Sequence, residues 1–444
     1  MPKVTVIMPS LNVVKYIKPC LESVLAQTLQ DMEILAIDAG SDDGTLEVLR
    51  EYALSDKRIK LIHSEQRSYG YQLNMGIALA QGEYIGVVET DDIIVPDMFE
   101  ILYKTAVETG VDYVKGTAQA FLETVSGIRV TNKIFCVSDP QQMGKIICPK
   151  ENPELFVTDR FLWLGIYKAG LLKEVKLNES KGAAFQDIGF AFQVIGKADK
   201  ALYLGKDVYF YRQDNGNASS HDVKSFQYLV AEYFYVKQFL EGKNVKWHQA
   251  YYHKMLNQCL GRFQKMAVQG EFWKQSYSEI EILQSWIRDA VKKEFLAEHL
   301  LGYSSWRKTQ LFLESAEAVY QEYAIYYNEK KKELAKVLSI VGKRKVIIFG
   351  SGQFGRFSHA LIESKCLGSV IAYCDNNEKL WDVSIQGVPV LSPADAAHQY
   401  PDAIYIISNR RDVEEMRQQL KNLGVADECI CRYEVTMDLQ LFQM

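Results

Sequence analysis

Residues 84–92 read Tyr-Ile-Gly-Val-Val-Glu-Thr-Asp-Asp, an apolar run that closes on three acids. The apolar part, residues 84–88, predicts a buried strand, and the acidic part, residues 89–92, predicts the turn that follows it. Burying carboxylates costs free energy unless a positive charge meets them. Divalent cations take such oxygen ligands in proteins. The stretch therefore predicts a metal site at the carboxyl end of a strand, with a simple capped turn as the alternative.

The sequence before this stretch alternates short β-branched runs with helical segments. Residues 4–8, 33–37 and 59–62 are strand-like, and residues 17–27 and 45–53 are helix-like. This alternation predicts an α/β domain with a parallel sheet and crossover helices. Ligands of such sheets bind outside the carboxyl ends of the strands, which is where the acids of residues 89–92 fall.

Four motifs in this order carry a resemblance to a known family. They are Val-Thr-Val-Ile-Met-Pro-Ser-Leu-Asn at 4–12, Glu-Ser-Val-Leu-Ala-Gln-Thr at 22–28, Ile-Leu-Ala-Ile-Asp-Ala-Gly-Ser-Asp-Asp-Gly-Thr at 34–45, and the acidic stretch at 89–92. Together they resemble the family-2 inverting glycosyltransferases of the GT-A fold. The resemblance covers residues 1–221 and implies a GT-A nucleotide-diphospho-sugar transferase domain there.

The resemblance implies a set of residues that contact a nucleotide-sugar donor. Pro9, Ser10, Leu11 and Asn12 match the first nucleotide loop, although Pro9 would also serve simply to end a strand. Asp38 matches a carboxylate that accepts the imide N–H of uracil or thymine. The other implied donor contacts are Arg67, Asn74, Glu89, Thr90 and Asp91. A surface arginine is the alternative for Arg67.

The resemblance also implies a bound Mn²⁺ or Mg²⁺ ion that bridges the diphosphate and stabilises the leaving group. Asp91 is predicted as the direct ligand, Asp92 as the residue that orients it, and His221 as a further ligand. Glu89 stands where the family has an aspartate. Its longer side chain still permits contact with ribose or with a metal-bound water.

Two more positions are implied on the acceptor side. Asp187, in Phe-Gln-Asp at 185–187, matches the catalytic base that takes a proton from the acceptor hydroxyl. A helix N-cap is the alternative role for Asp187, and the two roles are compatible. Trp163 stands where relatives place an aromatic platform for the acceptor, with core packing as the alternative.

Composition limits the partners. The 444 residues are 48% hydrophobic and carry a formal net charge of −5, which disfavours nucleic acid or an anionic membrane as the main partner. The N-terminal residues do not resemble a signal peptide, and no run of 18 apolar residues occurs. The eight cysteines are scattered. We expect a cytoplasmic protein without a transmembrane segment, with peripheral contact at the inner face of the membrane left open.

The rest of the chain divides into two further predicted regions. Residues 222–340 have long proline-free helical patterns and predict a helical linker or bundle. Residues 341–444 predict a small Rossmann-like domain, because Gly350, Gly352 and Gly355 follow a strand and Asp375 lies twenty residues beyond. This loop is predicted as a second nucleotide site, and a structural or dimerising role, and hence a homo-oligomer, stays open.

The combined prediction is a metal-dependent inverting glycosyltransferase. The expected donor is a UDP- or dTDP-sugar, and the expected acceptor is a glycan or a lipid-linked sugar in bacterial surface polysaccharide synthesis. One alternative is a nicotinamide-dependent oxidoreductase or epimerase centred on residues 341–444. The other is a non-catalytic sugar-nucleotide-binding protein.

Overall fold

The computed structural model describes residues 1–124, 127–159, 161–216, 222–269, 271–365, 368–409 and 412–432. The chain forms two compact units. The first unit comprises Met1–Ala118, Ile134–Phe210 and Asn217–Ala324, and the second comprises Gln119–Lys133, Tyr211–Gly216 and Ile325–Met444. The domain boundaries expected at residues 221 and 340 stay predictions.

The N-terminal sheet is mixed, with a parallel part and an antiparallel part. Its strands are β1 (Val4–Ser10), β2 (Met32–Asp38), β3 (Ile59–His63), β4 (Tyr84–Val87), β5 (Ile93–Ile94), β6 (Tyr113–Thr124), β7 (Gly127–Ile134), β8 (Ile146–Ile147), β9 (Gly165–Lys168) and β10 (Ala201–Arg212). The order is β3-β2-β1-β4-β9-β6-β10-β5, with β7 beside β6 and β8 beside β10. Strands β1 to β4 pair in parallel, and β9 pairs antiparallel with both β4 and β6.

The register of the parallel strands assembles the candidate site. Ser10 pairs with Asp38 at the ends of β1 and β2, and Ile7 pairs with Val87 at the end of β4. Both β1 and β2 are buried at every position, because helices cover the two faces of the sheet. The loops after β1, β2 and β4 therefore emerge at one edge, as the sequence predicts.

Helices cover this sheet, and the elements after β10 are helices up to the second sheet. They are α1 (Val14–Leu25), α2 (Thr45–Ser55), α3 (Tyr69–Leu79), α4 (Met98–Thr109), α5 (Leu155–Thr158), α6 (Ala169–Leu172), α7 (Gln186–Lys197), α8 (Ser225–Lys237), α9 (Val245–Gln269), α10 (Tyr277–Lys292), α11 (Glu298–Leu301), α12 (Tyr303–Glu314) and α13 (Ala316–Val341). The run from α8 to α13 confirms the helical middle region. Within the described ranges, no helix has the length and apolar character needed to cross a bilayer.

A second, smaller sheet lies near the C-terminus. Its strands are β11 (Lys345–Phe349), β12 (Ser369–Cys374), β13 (Ser384–Ile385), β14 (Val388–Leu391), β15 (Ile404–Ile407) and β16 (Ile430–Arg432), with helices α14 (Gln353–Ser364), α15 (Pro393–Gln399) and α16 (Val413–Asn422). The order is β13-β14-β12-β11-β15-β16, and the pairs are parallel except β13 with β14. The strand order reverses between β11 and β15, which is where such sheets bind ligands. The predicted order of an N-terminal α/β domain, a helical middle and a small C-terminal α/β domain is confirmed, and the Rossmann-like assignment of the last stays a prediction.

The second unit also includes the end of β6 and most of β7, which come from far earlier in the chain. Arg129 on β7 donates from Nε to Glu363 Oε2 at 2.7 Å and from Nη1 to the carbonyl of Gln386 at 2.7 Å. Thr124 Oγ1 donates to the same carboxylate at 3.0 Å. The Arg129–Glu363 pair is about nine-tenths buried. A buried, hydrogen-bonded ion pair therefore ties this hairpin to the C-terminal sheet.

Candidate active site

The loop after β1 is held in shape by polar contacts with the loop after β2. Asn12 has a positive φ of 53°. Its backbone amide donates to Ser41 Oγ at 2.9 Å, and its side-chain oxygen accepts from the amide of Asp42 at 3.0 Å. Leu11 is partly exposed beside it. Within the described part of the chain, the hydroxyl of Ser10 is buried without a hydrogen-bond partner. The loop is therefore preformed and keeps one polar atom unsatisfied.

Asp38 is fully buried at the end of β2. Its Oδ1 accepts from the amides of Gly40 and Ser41 at 3.0 and 2.9 Å, and its Oδ2 accepts from Ser41 Oγ at 2.5 Å. Arg67 donates to the carbonyl of Gly40 at 2.8 Å. Asp38 thus shapes the loop, with Arg67 on its outer side, and base recognition by Asp38 stays a prediction.

The acidic turn is fastened to the sheet and to α3. Thr90 Oγ1 donates to the carbonyl of Pro9 at 2.9 Å, which links the turn to the first loop. Tyr69, the first residue of α3, donates its hydroxyl to Glu89 Oε1. The amide of Glu89 donates to the hydroxyl of Tyr209 at 3.1 Å. Asp92 is fully buried behind the turn.

Glu89 in the acidic turn interacts electrostatically with Asp187 on α7. Burial raises the pKa of the Glu89 carboxyl, the hydrogen bond from Tyr69 lowers it, and the negative charges of Asp91 and Asp187 raise it, with a net value of about 8. Asp187 therefore lies near enough to the acidic turn to affect the pKa of Glu89, although Asp187 comes 98 positions later in the chain. The edge of the sheet concentrates carboxylates from two separate segments.

Asp187 stands in the first turn of α7. The residue before this helix, Phe185, adopts a left-handed conformation with φ 77°. Gln186 is buried and donates to Ser180 Oγ at 3.1 Å and to the carbonyl of Ala183 at 3.2 Å. Arg262 lies 5.3 Å from the centre of the Phe185 ring. These contacts fix the entry into the helix and so the place of Asp187.

A buried glutamate behind α7 was missed by the sequence analysis. Glu232 on α8 accepts from the amide of Gly189 at 3.2 Å and from Asn178 Nδ2 at 3.0 Å. Burial raises its pKa to about 8, against the hydrogen bond from Asn178, and the charge of Asp187 adds to the rise. A signal was available, because Glu232 lies three residues after Leu229 and four before Val236, on the buried face of the helix.

Asn74 and Trp163, predicted as donor and acceptor contacts, both contact other parts of the protein. Asn74 on α3 holds residues 177–179: its Nδ2 donates to the carbonyl of Leu177 at 3.0 Å and its Oδ1 accepts from the amide of Leu177 at 2.9 Å. Trp163 is 6% exposed, and its ring centre lies 4.3 Å from that of Tyr209. Their donor and acceptor roles stay predictions. His221 lies outside the described residues.

The residues at the turn suit a divalent cation in their chemistry. Among the residues whose positions are described, no group of three or more His, Cys, Asp or Glu side chains forms a ready metal cage. Mg²⁺ in nucleotide enzymes, however, is commonly held by one or two carboxylates together with substrate phosphates. Asp91 and Asp92 are carboxylates of this kind beside the buried Glu89, and their role as metal ligands stays a prediction.

The glycine loop of the second unit follows β11. Gly350 has a positive φ of 104°, and a Cβ on Gly355 would lie 1.8 Å from the carbonyl oxygen of Gly350. A Cβ on Gly352 would meet nothing within 4 Å. Asp375 accepts from the amide and the hydroxyl of Ser351 at 2.9 and 2.7 Å. Gly350 and Gly355 are therefore required by the backbone, whereas Gly352 faces open space.

The parallel strands at this edge of the sheet gather a preformed loop, a buried aspartate and a carboxylate turn, the arrangement expected of a transferase of the GT-A type. Residues 5–162 match the family described as Glycosyl transferase family 2. The chain is 31% identical over 220 residues to Glycosyltransferase GlyG of Streptococcus pneumoniae serotype 4, a match that spans 48% of this chain and 72% of the relative. The chain belongs to glycosyl transferase family 2, and it is a glycosyltransferase.

Other comparisons extend this result. The chain is 26% identical over 303 residues to Glycosyltransferase GlyA of the same organism, covering 66% of this chain and 42% of the relative. The crystal structure of S. aureus TarS 1–349 in complex with UDP-GlcNAc has a TM-score of 0.53 at 19% identity, with 74% of this chain and 92% of that chain covered. This likeness shows the fold. Residues 342–431 match a further family, described as C2185-like, N-terminal.

Proposed function

We propose that the protein transfers a sugar from a UDP- or dTDP-sugar to a glycan or lipid-linked acceptor, with inversion at the anomeric carbon. The observation that carries the proposal is the joint effect of Asp91 and Asp187 on the pKa of Glu89. This interaction supports a single site that includes both the residue proposed as base and the proposed donor turn. The solved complexes of TarS with UDP-GlcNAc and with UDP support a uridine donor by analogy of fold.

The donor would lie across the edge of the sheet. Ser10 and Asn12 would face the nucleoside, with Asp38 below the base and Arg67 toward the phosphates. Glu89 and Thr90 would border the ribose. A Mn²⁺ or Mg²⁺ ion, held by Asp91 with Asp92 orienting that ligand, would offset the charge of the departing diphosphate. The buried, unsatisfied hydroxyl of Ser10 supports a polar ligand at this loop.

Asp187 would act on the acceptor. Its carboxylate takes the proton of the acceptor hydroxyl while that oxygen attacks the anomeric carbon from the face opposite the diphosphate. The bond from the anomeric carbon to the diphosphate oxygen breaks, and its electron pair leaves with the nucleoside diphosphate. One displacement of this kind inverts the configuration. Tyr69 engages Glu89 by its hydrogen bond and so helps to hold the acidic turn in place.

The setting of the reaction is also proposed. The reaction would contribute to surface polysaccharide synthesis, and a match to Chondroitin synthase of Escherichia coli, 37% identical over 100 residues and 22% of this chain, supports synthesis of a polysaccharide. The protein would act in the cytoplasm or at the inner face of the membrane. The match spans 15% of that relative, so its substrates are not carried over.

The test is the Asp187→Asn variant, assayed for transfer with a panel of UDP- and dTDP-sugars. We expect transfer to fall by roughly 10²-fold or more, with donor binding retained, because only the general base is lost. Asp199→Asn, at an exposed aspartate, is the matched control and should transfer normally. Wild-type transfer by Asp187→Asn, or a product with retained anomeric configuration, would overturn the mechanism.

A further inference from the structure

The second unit contains an open cavity of about 750 Å³ outside the sheet. Its walls come from the segment that follows β12, from the start of α15 and from one face of α16. The segment after β12 contributes Asn376, Glu378 and Trp381. The cavity thus lies at the carboxyl ends of β12 and β14, the edge at which parallel sheets bind ligands. Its volume falls in the usual range for small-molecule sites.

The side chains that line the cavity offer hydrogen bonds without positive charge. Carboxamides of Asn376, Gln418, Gln419 and Asn422 and the carboxylates of Glu378 and Glu415 line it. Of the described residues in the wall, none is Lys, Arg or His. Phosphate and other anionic groups would therefore meet repulsion without compensation. Hydroxyl groups, which donate and accept at once, match carboxamides and carboxylates.

Two features preorganise this wall. Asn376 and Gln419 exchange a reciprocal pair of amide hydrogen bonds, at 3.1 and 3.0 Å, between the β12 segment and α16. The indole N–H of Trp381 donates to the carbonyl of Asp375 at 2.7 Å, which fixes the ring. Ordering side chains before a ligand arrives lowers the entropic cost of binding. An indole held by its edge presents an apolar face to the apolar C–H face of a sugar ring.

We propose that this cavity is a binding site for an uncharged carbohydrate, a segment of glycan. Trp381 stacks on a sugar ring, and the carboxamides of Gln418 and Gln419 bond its hydroxyls. Binding of the glycan does not depend on the proposed function. Its use, to hold the growing acceptor, rests on that function.

The test uses the full chain and neutral tetrasaccharides of glucose, galactose and N-acetylglucosamine, with a hyaluronan tetrasaccharide as the anionic comparison. Saturation-transfer NMR and calorimetry should detect a neutral tetrasaccharide and no hyaluronan. Ala394→Trp fills the cavity from an exposed position, and we expect it to weaken binding about tenfold or more. Ala394→Ser keeps the cavity open and should bind as the wild type does.

Trp381 supplies an independent pair of variants. Trp381→Ala should lose binding, whereas Trp381→Phe keeps an aromatic face and should retain most of it. Failure of all neutral probes to bind, or equal binding by Ala394→Trp, would overturn the proposal. Release of nucleoside diphosphate from the donor is measured in parallel. Glycan binding without release would refute the proposed function alone, and release without glycan binding would refute this inference alone.

Discussion

Glu232 accepts a hydrogen bond from the backbone amide of Gly189, two residues after Asp187. A Cβ on Gly189 would lie 2.6 Å from the same carboxylate oxygen, so the contact depends on the glycine. The other oxygen of Glu232 accepts from Asn178, beside the segment that Asn74 holds against α3. The helical middle region therefore supports the first turn of α7 from behind.

The raised pKa of Glu232 makes stability depend on pH. The unfolded chain releases this proton near the ordinary value of 4.5, and the folded chain holds it until about pH 8. Between these values the folded state binds the extra proton, so the free energy of unfolding falls as pH rises. Glu232→Gln does not titrate. We expect its stability relative to wild type to rise with pH across this window, by up to about 1.4 kcal/mol per pH unit.

Urea denaturation at pH 5.5, 7 and 8.5 measures this difference. The control is Glu241→Gln, at an exposed glutamate that follows α8. Its offset from wild type should stay constant with pH. A constant offset for Glu232→Gln as well would show that the carboxyl titrates normally.

Binding of UDP should depend on a divalent cation, because its diphosphate otherwise meets the carboxylates of Asp91 and Asp92. With Mn²⁺ and free UDP at 100 times Kd, we expect stabilisation of about 2.7 kcal/mol, seen as a rise in Tm, and much less with EDTA. Asp91→Asn should lose the difference between the two conditions. Equal stabilisation of the wild type by UDP with and without metal would contradict the assignment.

The glycine loop of the second unit offers a matched pair of substitutions. Gly355→Ala would place a Cβ 1.8 Å from the carbonyl oxygen of Gly350, and we expect a loss of roughly 1 to 3 kcal/mol or more. Gly352→Ala enters open space at an ordinary φ of −70° and should be neutral or slightly stabilising. Thermal unfolding separates the two.

The same loop carries the predicted second nucleotide site. Gly352→Val should stay folded, because nothing surrounds its Cβ. If a phosphate approaches the backbone there, the variant should lose nucleotide binding to the second unit while sugar transfer persists. A folded Gly352→Val protein that transfers no sugar would show that the active site has been misplaced.

Arg129 and Glu363 should set the acid tolerance of the second unit. Burial raises the pKa of Glu363, but the hydrogen bonds from Arg129 and the contact with His359 outweigh it and lower the value to about 2. This stability is present above the ordinary value of 4.5 and is lost as pH falls toward 2. Arg129→Met should cost about 3 to 5 kcal/mol.

Hydrogen exchange of β11 and β12 at pH 7 and pH 4 measures this loss. Arg129→Met should exchange faster at both values, with the smaller difference at pH 4. Arg50→Met is the control, because Arg50 and Glu47 form an exposed pair at 3.9 Å. Unchanged protection in Arg129→Met would mean that the hairpin contributes no stability.

The sequence was sufficient for features that depend on local pattern. The acids after β4 and the strand ends at Ser10 and Asp38 follow from periodicity, and the parallel register brings them together. Contacts between segments far apart in the chain could not be predicted from the sequence. No local sequence pattern predicts that Asn74 forms a hydrogen bond with Leu177, or that a hairpin at residues 119–133 packs in the same unit as residues 325–444. Such pairings depend on tertiary packing, which a single sequence does not record.

The hairpin that carries Arg129 also imposes an order on synthesis. Its partner Glu363 lies 234 positions later, so the ribosome needs roughly 10 to 50 s to deliver it. During that interval the nascent chain holds a strand pair whose docking surface does not yet exist, and an unpaired strand edge invites association with other chains. The C-terminal sheet domain thus supplies the partner of a hairpin that was translated long before it. Release of the chain before residue 363 would leave Arg129 without Glu363.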